Sequence, residues 1–292
     1  MPARYYGGYV LNKILITSDS SCDLSKPLLE KYNIHTSPLF VTAGNDTFLD
    51  GVSITADDLY AYVAKTGVLP KTAARSDGDY KDFFGKFVSE GYDVVHISLG
   101  SALSSSYEHA CIAAENFDNV YVVDSQNLST GTGLSVLYAC DLREQGLSAA
   151  EIAEKVKQVV GRVRASFVVD SIDYLYKGGR CSAVAALGAN LLRLRPSIFV
   201  VDGKMTVGKK YRGNIKTIFA SYAKEQLERE GVRYNRRRVF VTHSCPDETL
   251  PDEVVAMVKA SGLFDEVLVT RAGCTVSSHC GPNTLGVLYI ED

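Results

Sequence analysis

No stretch of apolar residues in this sequence approaches the ~20 needed to cross a bilayer. The opening MPARYYGGYVLNK also lacks the continuous apolar core of a secretory leader. Both absences lead to the expectation of a cytoplasmic protein. An excess of positive charge is missing too. The formal net charge of -3 provides no footprint for nucleic acid, which shows as a basic domain or stripe. One local basic run, RYNRRR at Arg233 to Arg238, precedes the apolar VFVTH. It reads as a solvated loop entering a strand, with an anionic lipid surface or a protein partner as its functional alternative. The seven cysteines include no CxxC and no Cys/His cluster at zinc-finger spacing, which fits free thiols in a reducing compartment. Cys111, Cys140 and Cys245 read as small core residues. Repeats and low-complexity segments are absent, and 46% apolar residues over 292 positions is the composition of a folded globular protein.

What is there alternates. The first half runs strand (Ile14 to Thr17), helix (Ser25 to Tyr32, with Ser25 as cap and Pro27 in the first turn), strand (HTSPLFVT), then helices over TADDLYAYVAKT and DYKDFFGKFVSEG. A strand at Val94 to Ser98, a helix from Tyr107, the strand VYVVD and a helix across GLSVLYACDLREQG complete it. Short strands alternating with helices predict a mainly parallel sheet covered on both faces. The second half reads as a mixed α/β domain: a strand at ASFVVD passing into a Gly-rich turn, a hairpin about Asp202-Gly203, the long helix NIKTIFASYAKEQLEREG, then RVFVTH, LPDEVVAMVKAS, EVLVT and TLGVLYI. The expected division is 1–168 and 169–292.

Three polar loops, SDSSCD, SLGSALSSSY and DSQNLSTGTG, follow strands of the first half. Right-handed crossovers gather such loops on one sheet edge, where open α/β sheets bind ligands. The hydroxyls of Ser101, Ser104, Ser105 and Ser106 have two readings. Ser104 can cap the following helix; alternatively, Ser104 and Ser106 add donors to a helix N-terminus that receives a carboxylate or phosphate. No GxxxxGK[ST] occurs and TGTG is too short for a dinucleotide fingerprint, so the anion is a small group on a ligand. Thr72 and Ser76 stand in the loop PKTAARSD. His279 stands beside Gly281-Pro282, a turn signal against a regular helix, and is either a hydrogen-bond partner of a ligand or a turn stabiliser. Arg180, after two glycines, and Arg212, before a helix, are ordinary exposed arginines or a phosphate-gathering pair near the inter-domain cleft.

In order along the chain, ITSDSSCDLS, FLDGVSIT, GSALSSSYEHA, YLYKGGRCS, LRPSIFVVDGKM and HCGPNTLGVLY resemble the DegV family of bacterial fatty-acid-binding proteins, the lipid-carrying subunits of fatty acid kinase. The resemblance runs from about Lys13 to Tyr289. It implies two α/β domains with an acyl chain in a tunnel at their junction, and a non-catalytic role in phospholipid metabolism. It implies a carboxylate held by Thr72 and Ser104, with His279 near the head group, Ser106 as a substitute donor, and Arg180 and Arg212 at the ligand entrance or the kinase partner. The implied partners are a long-chain fatty acid and the catalytic kinase subunit, with transient contact to a membrane surface. Neither cofactor nor metal is implied. The sequence departs from the family at Ala73, Ala74 and Arg75, where Ser, Gln and Pro are usual, and at Ser105 and Ser106, where Gly and Thr are usual. Cys181 and Arg195 depart as well.

Burying ~15 methylenes at ~0.8 kcal/mol each gives roughly 12 kcal/mol of gross driving force before the costs of association. Neutral donors let the carboxylate enter without a buried counter-ion. A serine hydrolase using Ser104 or Ser20 with His279 is the alternative, but no G-x-S-x-G elbow occurs. A kinase in its own right would need a nucleotide loop and metal carboxylates. Asp19, Asp23, Asp50 and Asp124 are scattered and read more simply as caps and turns.

Overall fold

The computed structural model describes residues 5–6, 9–10, 13–185 and 194–292. Apart from the short antiparallel pair β1 (Tyr5–Tyr6) and β2 (Tyr9–Val10), the opening segment considered above as a leader lies outside them. The first half continues as β3 (Lys13–Asp19), α1 (Lys26–Lys31), β4 (Ile34–Ser37), β5 (Phe40–Ala43), β6 (Asp46–Leu49), α2 (Ala56–Thr66), β7 (Lys71–Ala73), α3 (Asp77–Ser89), β8 (Tyr92–Ser98), α4 (Ser106–Ala114), β9 (Val120–Asp124), α5 (Ser129–Glu144) and α6 (Ala149–Val159). Then come β10 (Val163–Val168), α7 (Asp173–Gly178), α8 (Ser182–Ala185), β11 (Arg195–Val201), β12 (Lys204–Tyr211), α9 (Ile215–Leu227), β13 (Tyr234–His243), α10 (Asp252–Ala260), β14 (Val267–Arg271), α11 (Cys274–Cys280) and β15 (Leu285–Glu291).

Strands β4-β3-β8-β9 form an all-parallel sheet. Alternation along β3 explains how both faces are covered. Leu15 packs with Tyr80, Phe84 and Ala110 of α3 and α4, whereas Ile16 packs with Leu134, Leu137 and Ile152 of α5 and α6. A six-stranded mixed sheet, β12-β11-β10-β15-β13-β14, is parallel only between β13 and β14. Its Phe240 and Leu288 face α5, and its Val239, Val241 and Val287 face α9 and α10. Helix α5 is thus buried from Ser129 through Leu137, and again over most of its last turns, because a sheet lies on each side of it.

Local signals account for several boundaries. Thr55 and Ser76 form capping boxes with Asp58 and Asp79 at the starts of α2 and α3. Asp202 and Gly203, at φ 49° and 74°, make the β11–β12 hairpin turn. The expected single strand HTSPLFVT is two: Pro38 separates β4, in the parallel sheet, from β5, which pairs antiparallel with β6 and β7 in a third sheet. Helix α6, with its apolar stripe Ile152, Ala153, Val156 and Val159, was not anticipated from the sequence. Strand β10, before the expected division at 168, hydrogen-bonds between β11 and β15 in the mixed sheet.

Candidate functional site

Between the parallel sheet's C-terminal edge and the mixed sheet lies an apolar pocket of about 640 Å³, including its open mouth. Leu39, Leu99, Leu103, Leu128, Phe167 and Met205 are among its apolar wall residues, and Thr72, Ser104, Arg180 and His279 supply polar groups. Four of the six sequence-predicted residues therefore meet in one place. Ser106 is fully buried behind Ser104, and Arg212 is exposed between β12 and α9, away from the pocket wall. A second apolar cavity of about 400 Å³ shares Leu128, Phe167, Val276 and Cys280 with the first. It continues the space toward the mixed sheet at Ala165 and Leu288.

The polar end is built from three elements. Thr72 lies in β7, whose pairing with Val41 of β5 fixes its height. Its Oγ1 is 2.8 Å from Nε2 of His279. His279 sits in the last turn of α11, so the sequence reading of this stretch as a turn that excludes a helix is corrected: the helix runs to Cys280, and Gly281 takes the positive φ that ends it. Burial, and then the Arg180 charge, lower His279 to about 4. The imidazole is therefore neutral near pH 7 and can share a proton with Thr72 without bringing charge. Its Nδ1 has no partner among the described residues and faces Gly178, where a Cβ would come within 2.5 Å of it.

The serine run resolves residue by residue. Ser105, not Ser104, is the N-cap of α4, and it makes no side-chain cap. The orphan N–H of Ser106 donates to Ser104 Oγ at 3.2 Å, and the two hydroxyls are 3.0 Å apart. Ser105 is exposed at φ -77°, a conformation any residue adopts, so a side chain there costs nothing in backbone strain. Ser101 donates to Asp124 through both Oγ (2.6 Å) and N–H (3.1 Å). At the other departure from the family, Ala73 and Ala74 line the pocket, while Arg75 pairs with Asp79 and covers the Phe40 ring.

The four scattered aspartates all accept hydrogen bonds from within the protein, Asp124 from Ser101 and from the Gln126 N–H. Asp19, buried at the end of β3, accepts hydrogen bonds from Tyr80, from Ser98 Oγ (2.9 Å) and from the Leu99 N–H (2.8 Å), with His96 Nε2 3.5 Å away. Its carboxyl is held below the usual range by His96 and these donors, against burial, the largest single influence, which acts to raise it. Asp23 accepts from Ser129 Oγ (2.5 Å) and from the Gly273 N–H (2.8 Å). Asp50 accepts from the Cys274 N–H (2.8 Å), the Thr275 N–H (3.3 Å) and Ser20 Oγ (2.9 Å). Two carboxyl groups distant in sequence thus accept from the free N–H groups that open α11, the helix carrying His279. Local motifs do not disclose that link, because its halves are more than 220 residues apart. Among the described residues no three His, Cys, Asp or Glu side chains group as metal ligands. The hydrolase arrangement is not assembled: Ser20 donates to Asp50, Ser104 pairs with Ser106, and His279 pairs with Thr72. Cys140 and Cys245 are buried and Cys111 half-buried, all as free thiols.

Comparison with known proteins follows this geometry. A family model described as "uncharacterised protein, DegV family" matches residues 13–292. A protein of Thermotoga maritima described as a fatty acid-binding protein is 30% identical over 94% of this chain and 96% of its own length. A solved structure concerning fatty acid binding of a DegV family protein from Thermus thermophilus superposes with TM-score 0.86, at 27% identity over 96% of this chain and 100% of that one. A stearic acid-binding protein from Eubacterium ventriosum gives TM-score 0.82 at 28% identity, over 95% and 98% of the two chains.

Proposed function

The chain belongs to the DegV family, and from that premise we propose that it binds a long-chain fatty acid and presents the carboxyl end to a separate ATP-dependent fatty acid kinase, carrying the resulting acyl phosphate onward. The observation that supports this reading is the pairing of Thr72 with a neutral His279 at the polar end of an apolar pocket, beside Ser104. The two adjoining cavities, which share four wall residues, suit an acyl chain, whose burial supplies the affinity. Thr72 and Ser104 meet the carboxylate with hydroxyl donors, so no buried ion pair has to be desolvated. Arg180 is exposed on the pocket rim, with Nη1 donating to Gly178 O (2.9 Å), and leaves a guanidinium at the mouth for a phosphoryl group or an acidic partner. Arg212 would act only through the partner. No helix among the described residues is long and apolar enough to cross a membrane, and lipid exchange in this reading takes place by transient contact with a membrane surface.

Protein purified from cells should carry a fatty acid, seen as added mass in native mass spectrometry and as a free acid after extraction. The Thr72→Ala/Ser104→Ala double variant should lose most of that occupancy while keeping its melting temperature within a few degrees. Full occupancy in the double variant would place the carboxylate elsewhere. A wild-type protein that is lipid-free and takes none up would refute acyl binding itself.

A further inference from the structure

Inside the pocket, two hydroxyls have no role in the protein's own hydrogen bonding. Ser21 is 0% exposed and Thr275 6% exposed, both line the pocket, and neither Ser21 Oγ nor Thr275 Oγ1 has a partner among the described residues. Their neighbours behave differently. Ser18 Oγ donates to Ile97 O, Ser20 Oγ to Asp50, Ser277 Oγ to Ala272 O and Ser278 Oγ to Cys274 O. Serine and threonine on a helix usually bond back to the preceding turn in this way. Buried hydroxyls are nearly always satisfied, and an unpaired one calls for an explanation. Ser37 and Ser135 are also unpartnered, but neither lines the pocket.

One carboxylate ties their two segments together. Asp50 Oδ2 accepts both from Ser20, the residue before Ser21, and from the backbone N–H of Thr275. The turn Ser20–Cys22 is thereby fastened to the start of α11. Thr275 and His279 are four residues apart on that helix, hence on one face and about 6 Å apart along its axis. The pocket therefore has a second polar point one helical turn from the Thr72–His279 pair, surrounded by Leu39, Leu99 and Val276.

We propose that Ser21 and Thr275 form a polar subsite for a hydroxyl carried by the acyl chain a few carbons from its carboxyl end, so that the protein prefers a hydroxylated acid to its unsubstituted counterpart. The inference rests on the acyl-binding reading. A hydroxyl can both donate and accept, and so satisfies two otherwise unpaired groups at once. A plain methylene leaves both unpaired, and a site built to bond a hydroxyl discriminates against the analogue lacking it.

The test uses delipidated full-length protein and two acids of equal chain length, one with a hydroxyl on its third carbon and one without. Wild-type protein should bind the hydroxylated acid about tenfold more tightly. Ser21→Ala/Thr275→Val should abolish that preference by weakening the hydroxylated acid without weakening the plain one, and should keep the melting temperature, since neither hydroxyl holds a protein partner among the described residues. Equal affinity of wild type for the two acids overturns the subsite. So does equal weakening of both acids in the double variant, which would make these hydroxyls carboxylate ligands. Failure of wild type to bind either acid overturns the acyl reading, and the subsite with it.

Discussion

His279 and Asp23 give the protein opposite responses to pH. Burial and Arg180 lower His279 from 6.5 to about 4. As pH falls through 6.5, the unfolded chain takes up a proton that the folded chain refuses until about 4, so stability declines over that window by roughly 3 kcal/mol. His279→Gln should flatten the decline when urea midpoints are compared at pH 7 and pH 4.5. Asp23 is raised from 3.8 to about 8, by burial first and then by Asp50, against the hydrogen bonds from Ser129 and Gly273. The folded protein keeps this proton after the unfolded chain has lost it, and stability therefore falls as pH rises from about 4 to 8. Between about pH 7.5 and 8 the His279 contribution is nearly flat, and there Asp23→Asn should remove the downward slope. Gly178 matters by what it lacks: Gly178→Ala would put a methyl against His279 Nδ1. It should displace the imidazole from Thr72 and weaken acid binding at least tenfold in a fluorescence displacement assay, with little change in secondary structure by circular dichroism. Thr72, Ser104 and His279 were legible in the sequence because each lies in a short polar motif. Ser21, Thr275 and Asp50 acquire their meaning only where residues 20–50 touch residues 273–275.

At the scale of elements, the starts of α2 and α3 were legible because their capping groups are local, whereas α6, capped as locally by Ser148 and Glu151, was passed over, and Ser25 makes no side-chain cap on α1. Thr55→Ala should cost about 1 kcal/mol in chemical denaturation, because it removes a capping box and little else. Helix α11 is the contrary case. Gly273 offers it no side-chain cap, and its start is met instead by Asp23 and Asp50. This explains why the SSHCGP stretch read as a turn: its only local signals, Gly281 and Pro282, mark an end. Asp50→Ala should strip acceptors from Cys274, Thr275 and Ser20 together. Faster amide hydrogen exchange across 273–280 than elsewhere in the mixed-sheet half would be the sign of it. Strands β6 and β7 escaped sequence reading for a simpler reason. They are four and three residues long, with mostly half-exposed or exposed side chains and no apolar alternation.

Across the whole molecule the layers run α3/α4, parallel sheet, α5/α6, mixed sheet, α9/α10. The alternation of strands and helices in the first half foretold the parallel sheet. The lodging of α5 between two sheets was hidden, since a helix buried all round has no polar face to reveal its partners. Shared burial of α5 couples the halves, and heating should give one calorimetric transition with van't Hoff and calorimetric enthalpies in agreement. Two resolved transitions would show that the halves melt independently. Phe84→Ala, at the far face of the parallel sheet, should then shift that single transition down as a whole, with a loss of stability of about 3–5 kcal/mol for a fully buried phenylalanine.

Strand β15 lies between β10 and β13 in the mixed sheet, yet it follows every other strand in the chain. During synthesis, the ribosome therefore releases β10–β12 and β13–β14 as two open-edged pieces that can join only when Leu285–Glu291 emerges. Until then, unpaired edges and the apolar pocket wall face solvent together, an aggregation hazard of the kind holding chaperones relieve. The need for such protection ends when β15 pairs with both of its neighbours.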